Sequence, residues 1–243
     1  MKTTNSSSSS CKEDLLRIVT ETYKSVIKKY KDIFNKKGYL PTKTHSSLGI
    51  NGFTERNLTF NFCNSYLENQ EAIVWQEIPF YSEKHKRQHV DSIIIDEKNK
   101  WVIYLEAKRF YNLRYFNNIL IDLNRIKNNH LDIPLPKNFQ PDHKAVVLLA
   151  DHYCHDDCNG QKYKLNYYDK FFTGQDVDEL PPTIKEKDSE FADSWTKNIE
   201  SSKISSVCDS IEESIISIKG SKYNIDINDE IVYTIYCGVY FIQ

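Results

Sequence analysis

Apolar residues recur at three- and four-residue intervals from Lys12 to Asn35: Leu15, Ile18, Val19, Tyr23, Val26, Ile27, Tyr30 and Phe34. That spacing places them on one face of a helix, which can be buried while the opposite face meets water. The loop Lys37–Gly52, with Gly38, Pro41, Gly49 and Gly52, ends the helix. Thr54 can cap a second helix in which Leu58, Phe62 and Tyr66 share a stripe and Glu55 sits in the first turn. The period then changes. Ala72–Phe80, His89–Asp96 and Trp101–Phe110 are rich in Ile, Val, Trp and Tyr and read as three strands of an antiparallel meander. Leu113, Phe116, Ile119, Leu120, Leu123 and Ile126 return to helical spacing, and that segment ends before Pro134 and Pro136. Lys144–Ala150 then reads as a fully buried strand.

A strand, a helix and a strand in that order form a right-handed crossover, so the last two strands should run parallel. The expected fold class is therefore α/β, a mixed sheet with helices on both faces. Residues 151–182 are polar and irregular and end in Pro181-Pro182. A long helix is expected from Asp188 to Ile218, and Ile231–Ile242, β-branched and aromatic, closes the chain as a strand. Residues 1–10, which include the run Ser6–Ser10, have nothing to pack and are expected to be disordered. Residues 11–243 should form a single domain. No internal repeat is evident.

Composition narrows the class. With 243 residues, 40% hydrophobic and 27% charged, the chain can bury a sizeable core, which excludes disordered and fibrous classes. No apolar run approaches the ~20 residues of a membrane span, and the start lacks a secretion signal, so the expectation is a cytoplasmic protein without a membrane partner. Six cysteines, irregularly spaced, do not form a disulfide framework and read as reduced thiols. The net charge of −2 hides an asymmetry: residues 1–50 carry 10 Lys and Arg against 4 Asp and Glu, whereas residues 176–231 carry 6 against 14. A basic front and an acidic back suit a protein that meets a polyanion on one face.

The candidate chemistry lies between His89 and Phe110, where Asp-Glu-Lys-Asn-Lys separates two apolar strands and marks a hairpin turn. If the turn centres between Lys98 and Asn99, opposed residues have numbers summing to 197 and Asp91 faces Glu106. Opposed side chains on one face have Cβ atoms roughly 4.5–5.5 Å apart, and two carboxylates at that distance repel unless a cation joins them. Lys108, two residues after Glu106, projects to the same side, while Ala107 turns away. Two carboxylates and an ammonium at the open end of a hairpin suit a Mg²⁺ ion with room for water and a phosphate. An ordinary ion-pair cluster is the alternative, but both acids interrupt otherwise apolar strands, where charge is costly.

Asp91, fourteen intervening residues and Glu106-Ala107-Lys108 resemble the signature of the PD-(D/E)XK nuclease superfamily, the restriction-endonuclease-like fold. The order of elements around it is similar: a helix carrying an acid (Glu55), a strand, the hairpin, a helix and a buried strand. The resemblance covers a core at 54–153 and leaves 176–243 as a C-terminal elaboration, a helix plus a strand. Val90 stands where the family's motif has Pro, which affects backbone shape rather than ligands.

The resemblance implies a Mg²⁺-dependent phosphodiesterase, an endodeoxyribonuclease of restriction or defence type, with Mn²⁺ as a substitute ion. Asp91, Glu106 and the backbone carbonyl of Ala107 would hold the metal, and Lys108 would orient or help deprotonate the attacking water. Glu55 is the candidate for a further acidic ligand, with Glu77 ranked below it. Lys84, Lys86, Arg87 and Gln88 before Asp91, and Arg109, Arg114 and Arg125 after Lys108, could grip the phosphates of DNA. RNA is not excluded, and cutting both strands would favour a homodimer. A nucleic-acid or protein interaction module, inactive without a partner, is the competing reading. His152, Cys154, His155 and Cys158 lack the spacing of a zinc site.

Overall fold

The computed structural model describes residues 6–37, 55–81, 87–109, 126, 135–155, 210–219 and 230–242. Two helices, α1 (Ser6–Lys37) and α2 (Glu55–Leu67), precede a six-stranded sheet. Its strands are β1 (Ile73–Tyr81), β2 (Arg87–Asp96), β3 (Trp101–Arg109), β4 (His143–His155), β5 (Ser210–Lys219) and β6 (Glu230–Ile242). The spatial order is β1-β2-β3-β4-β6-β5, and only the β3–β4 pair is parallel. The class is α/β with a mixed sheet, and the meander followed by a parallel crossover is as the spacing predicts.

The helical stripes explain how α1 and α2 sit. Leu15, Ile18, Val19, Tyr23, Val26, Ile27 and Tyr30 of α1 and Leu58, Phe62 and Tyr66 of α2 are all buried. They join one core with Ile94, Ile103, Leu105, Val147, Leu149 and Ile235 on the first face of the sheet. Tyr23 fixes the packing by donating its hydroxyl to the Ile235 carbonyl at 2.6 Å. On the second face Ile93, Ile95, Val102, Tyr104, Val146 and Leu148 are buried as well. Strands covered on both faces read as continuous apolar runs, which is why β3 and β4 lack alternation. Of the helix expected between Leu113 and Ile126, only Ile126 lies among the described residues, and it is helical and buried.

Two expectations are corrected. The helix α1 begins at Ser6, within the stretch expected to be disordered. The C-terminal helix expected to reach Ile218 is, over 210–218, the strand β5, paired antiparallel with β6 from Ser210↔Val239 to Lys219↔Glu230. Ile211, Ile215 and Ile218 fit a helical stripe, yet Ile216 and Ile218 also fit a strand. Their β-branched side chains suit the pleat, and β6 offers an edge to pair with. The earlier part of that expected helix, 188–209, lies outside the described residues.

Candidate metal and phosphate site

The hairpin β2–β3 forms in the register the turn dictates. Ser92↔Leu105, Ile93↔Tyr104, Ile94↔Ile103, Ile95↔Val102 and Asp96↔Trp101 are the pairs, so every sum is 197. At the turn, Asp96 is fully buried and accepts from the Asn99 N–H at 2.9 Å, Asn99 Nδ2 at 2.8 Å and the Tyr66 hydroxyl at 2.8 Å. Burial, and then the Asp96 carboxylate, push the Tyr66 phenol far above its ordinary range.

At the other end the ladder stops at Ser92↔Leu105, and the next hydrogen-bonded pair by register would be Val90 and Ala107. The Ala107 N–H instead donates to Asp91 Oδ2 at 2.7 Å. The Asp91 carboxylate thus stands where a ladder bond would have closed the hairpin. Because a strand residue's N–H and C=O point to the same flank, the Ala107 carbonyl also faces Asp91. Asp91 and Glu106 are side by side in the continued register, but the strands are no longer paired there.

Glu106 is 2% exposed. A buried carboxylate needs a counter-charge, and Lys108 supplies one, its Nζ 3.0 Å from Glu106 Oε1 with 21% of its side chain exposed. By strand alternation Asp91, Glu106 and Lys108 lie on the second face, away from α1 and α2. In β4 their neighbours are Leu148 beside Glu106 and the small Ala150 beside Lys108.

Glu77 lies between Gln76↔Ser92 and Ile78↔Val90, which puts it opposite Asp91, and its φ is 50°. A left-handed backbone at a residue with a Cβ costs about 1–2 kcal/mol. Glu77 Oε1 accepts from Arg56 Nη2 at 2.8 Å, with 50% of the Glu77 and 81% of the Arg56 side chain exposed. An exposed ion pair contributes about 0–1 kcal/mol, so this contact does not by itself offset the strain at Glu77.

The remaining expected residues are placed as follows. Glu55 is the first residue of α2, next to Arg56 and so at the same end of the sheet as Asp91. Arg87 and Gln88 open β2 opposite Tyr81 and Phe80, and Arg109 ends β3 in register with Asp151. Lys84, Lys86, Arg114, Arg125 and Cys158 lie outside the described residues, while His152, Cys154 and His155 lie on β4. Arg56 is absent from the residues expected at the site, although its position beside Glu55 in Thr-Glu-Arg-Asn is a signal for it.

Among the described residues no group of three or more His, Cys, Asp or Glu is arranged to share a metal ion. The oxygens at the open end of the hairpin are those of Asp91, Glu106 and the Ala107 carbonyl, hard atoms of the kind Mg²⁺ prefers. No helix among the described residues is long and apolar enough to cross a membrane. No protein-family model, no curated protein and no solved structure matches the chain, so its site is characterised by its own geometry.

Proposed function

We propose that Asp91, Glu106 and Lys108 form a metal-dependent phosphodiesterase site that cleaves DNA, carried on a restriction-endonuclease-like core. The observation that carries this reading is the interrupted ladder. A paired hairpin would have closed its ladder with backbone bonds, whereas here the Asp91 carboxylate takes the Ala107 N–H, and the residues on either side of Ala107 are the buried Glu106 and its ammonium partner Lys108. Asp91, Glu106 and the carbonyl of Ala107 would hold Mg²⁺, with Mn²⁺ as a substitute. The bound ion would polarise the phosphate and acidify a water molecule.

The chain's own groups supply the rest. Glu106 holds the Lys108 ammonium at 3.0 Å. A preorganised ammonium stabilises charge developing on the phosphate without reorganising at the moment of reaction. Asp91, anchored by the Ala107 amide, keeps one carboxylate edge fixed against β3. A second reading has its own support. The Ala107–Asp91 bond also ties β2 to β3 and the Glu106–Lys108 pair neutralises a buried charge within β3, roles that an interaction module inactive without a partner would equally need.

Nicking of supercoiled plasmid separates the two. Mg²⁺-dependent cleavage that EDTA stops, and that Lys108→Ala and Asp91→Asn each abolish in variants that circular dichroism shows to be folded at the assay temperature, is the expected outcome. An inert protein that still binds the plasmid, with binding unaffected by Asp91→Asn, would leave the interaction module standing.

A further inference from the structure

The two edges of the sheet differ in what they offer a neighbour. Among the described residues β5 pairs with β6 alone, and Glu212, Glu213 and Lys219 interrupt its isoleucines. Charges of this kind keep an exposed edge from pairing further. At the opposite edge β1 pairs with β2 alone and opens on the unbroken apolar run Ile73-Val74-Trp75. Such a run suits a strand that is covered on both faces.

Apolar side chains border β1 on both faces of the sheet. Ile73 and Trp75 stand beside Ile95 and Ile93 on the second face. On the first face Arg56, Phe60 and Leu67 share one stripe of α2, and the Arg56–Glu77 contact shows that this stripe looks toward β1. The large apolar side chains that stay exposed among the described residues are Phe60, Leu67, Ile73 and Trp75, so all of them border this edge. Exposed by 38–57%, they offer about 350 Å² of apolar surface, taking roughly 150–250 Å² for each side chain. A specific interface covers about 800 Å² per partner, of which about 60% is apolar. The four side chains thus supply most of the apolar area a dimer needs, and exposed Asn64 and Gln76 with the strand's own amides and carbonyls add polar area.

We propose that β1 is a dimer interface, in which Ala72–Gln76 pairs antiparallel with the same segment of a second copy of the chain. Phe60 and Leu67 close over the seam on one face, Ile73 and Trp75 on the other. Symmetry selects this occupant. An edge paired antiparallel with its own counterpart is related by a two-fold axis and closes, whereas β1 against β5 of another copy would run on as an open filament. Ala72–Gln76 carries no charge, so no like charges oppose one another within the pair. The left-handed backbone of Glu77 and the missing N–H of Pro79 blunt the rest of the strand and confine the pairing to this segment. The inference does not rest on the phosphodiesterase reading. It has a consequence for that site, because the two-fold axis stands perpendicular to the joined sheet and turns Asp91 of both copies to the same side.

The test is sedimentation velocity of the full chain from about 1 to 100 µM, the range in which an interface of modest area dissociates. Wild type is expected to pass from 28.6 kDa toward twice that mass as concentration rises. Trp75→Lys and Ile73→Lys each change a side chain already part-exposed in the single chain, and each should raise the dissociation constant about thirtyfold or more. Phe60→Ser should weaken the dimer by a smaller factor. Lys28→Glu, on the exposed face of α1, is the control and should leave it unchanged. Circular dichroism establishes that each variant is folded, and the two lysine variants give independent readings of the same edge. A wild type that stays at 28.6 kDa at the highest concentration overturns the proposal, even if the edge then takes a strand from another protein. A dimer that both lysine variants keep, or that Lys28→Glu weakens as much, shows that the copies meet elsewhere and overturns it as well.

Discussion

Asp96 and Asp91 lie on the same strand, five positions apart, and the odd spacing sends them to opposite faces of the sheet. Asp96 is fully buried, and three donors from Tyr66 and Asn99 converge on it at the closed end of the hairpin. Asp91 is half-buried at the open end, where it takes the place of a ladder bond and stands beside Glu106. The difference teaches how one hairpin separates its work. A carboxylate whose lone pairs are filled by neutral donors holds a turn, and a carboxylate that takes a strand amide ends the ladder at the other end.

The comparison breaks most visibly at Lys108. Lys108→Met removes the ammonium that faces Glu106 and is expected to cost about 3–5 kcal/mol in urea denaturation, because the carboxylate stays in a buried position. The double variant Lys108→Met/Glu106→Gln should recover most of that loss. A double variant no more stable than the single one would show that the ion pair is not the cause.

Exchanging the two aspartates' fates sharpens it next. Asp96→Ala leaves the Tyr66 hydroxyl and the Asn99 amides without their acceptor and should cost about 3 kcal/mol, with metal binding by calorimetry unchanged. Asp91→Asn should cost under about 1 kcal/mol, since the amide oxygen can still accept from Ala107, yet abolish metal binding. Equal effects of the two substitutions on either readout would dissolve the distinction.

The effect narrowest in its range of conditions concerns Cys63, which α2 buries in the core. Burial pushes its thiol up from the usual 9.0 to about 11. The folded protein then keeps a proton that the unfolded chain releases above pH 9, so this contribution to stability is full below pH 9 and is lost as pH rises through 11. The loss approaches about 2–3 kcal/mol at the top of the window. Cys63→Ala should flatten the decline between pH 9 and 11 in chemical denaturation, and an unchanged slope would assign the decline to other groups.

Much of this architecture is legible in the order of residues. The turn residues Glu97–Lys100 set the hairpin register, because loop length and strand period leave one pairing that keeps the apolar residues buried. The stripes of α1 and α2 are equally plain, since a helix is a local object whose period shows in its own residues. The strand β5 reads as helix from spacing because its isoleucines fit both periods and its partner β6 follows across a separate segment. Asp151, fully buried just past the apolar run of β4, carries a signal of its own as a charge closing such a run. The Arg56–Glu77 contact has no signature in spacing, because it joins the start of a helix to the middle of an edge strand.

The sequence by itself determined the buried stripes of α1 and α2, the strands β1 to β4, the hairpin register and the placing of Asp91, Glu106 and Lys108 on one face of the sheet. These follow from periods of 2 and 3.6 and from a turn whose position is written in a few polar residues. Only the tertiary structure decided that the ladder yields to the Asp91 carboxylate, that Glu106 is buried, that 210–218 pairs as a strand and that Arg56 meets Glu77. Each of these depends on which distant segment supplies the neighbour, and long-range pairing is fixed by burial and hydrogen-bond satisfaction across the whole sheet rather than by local spacing.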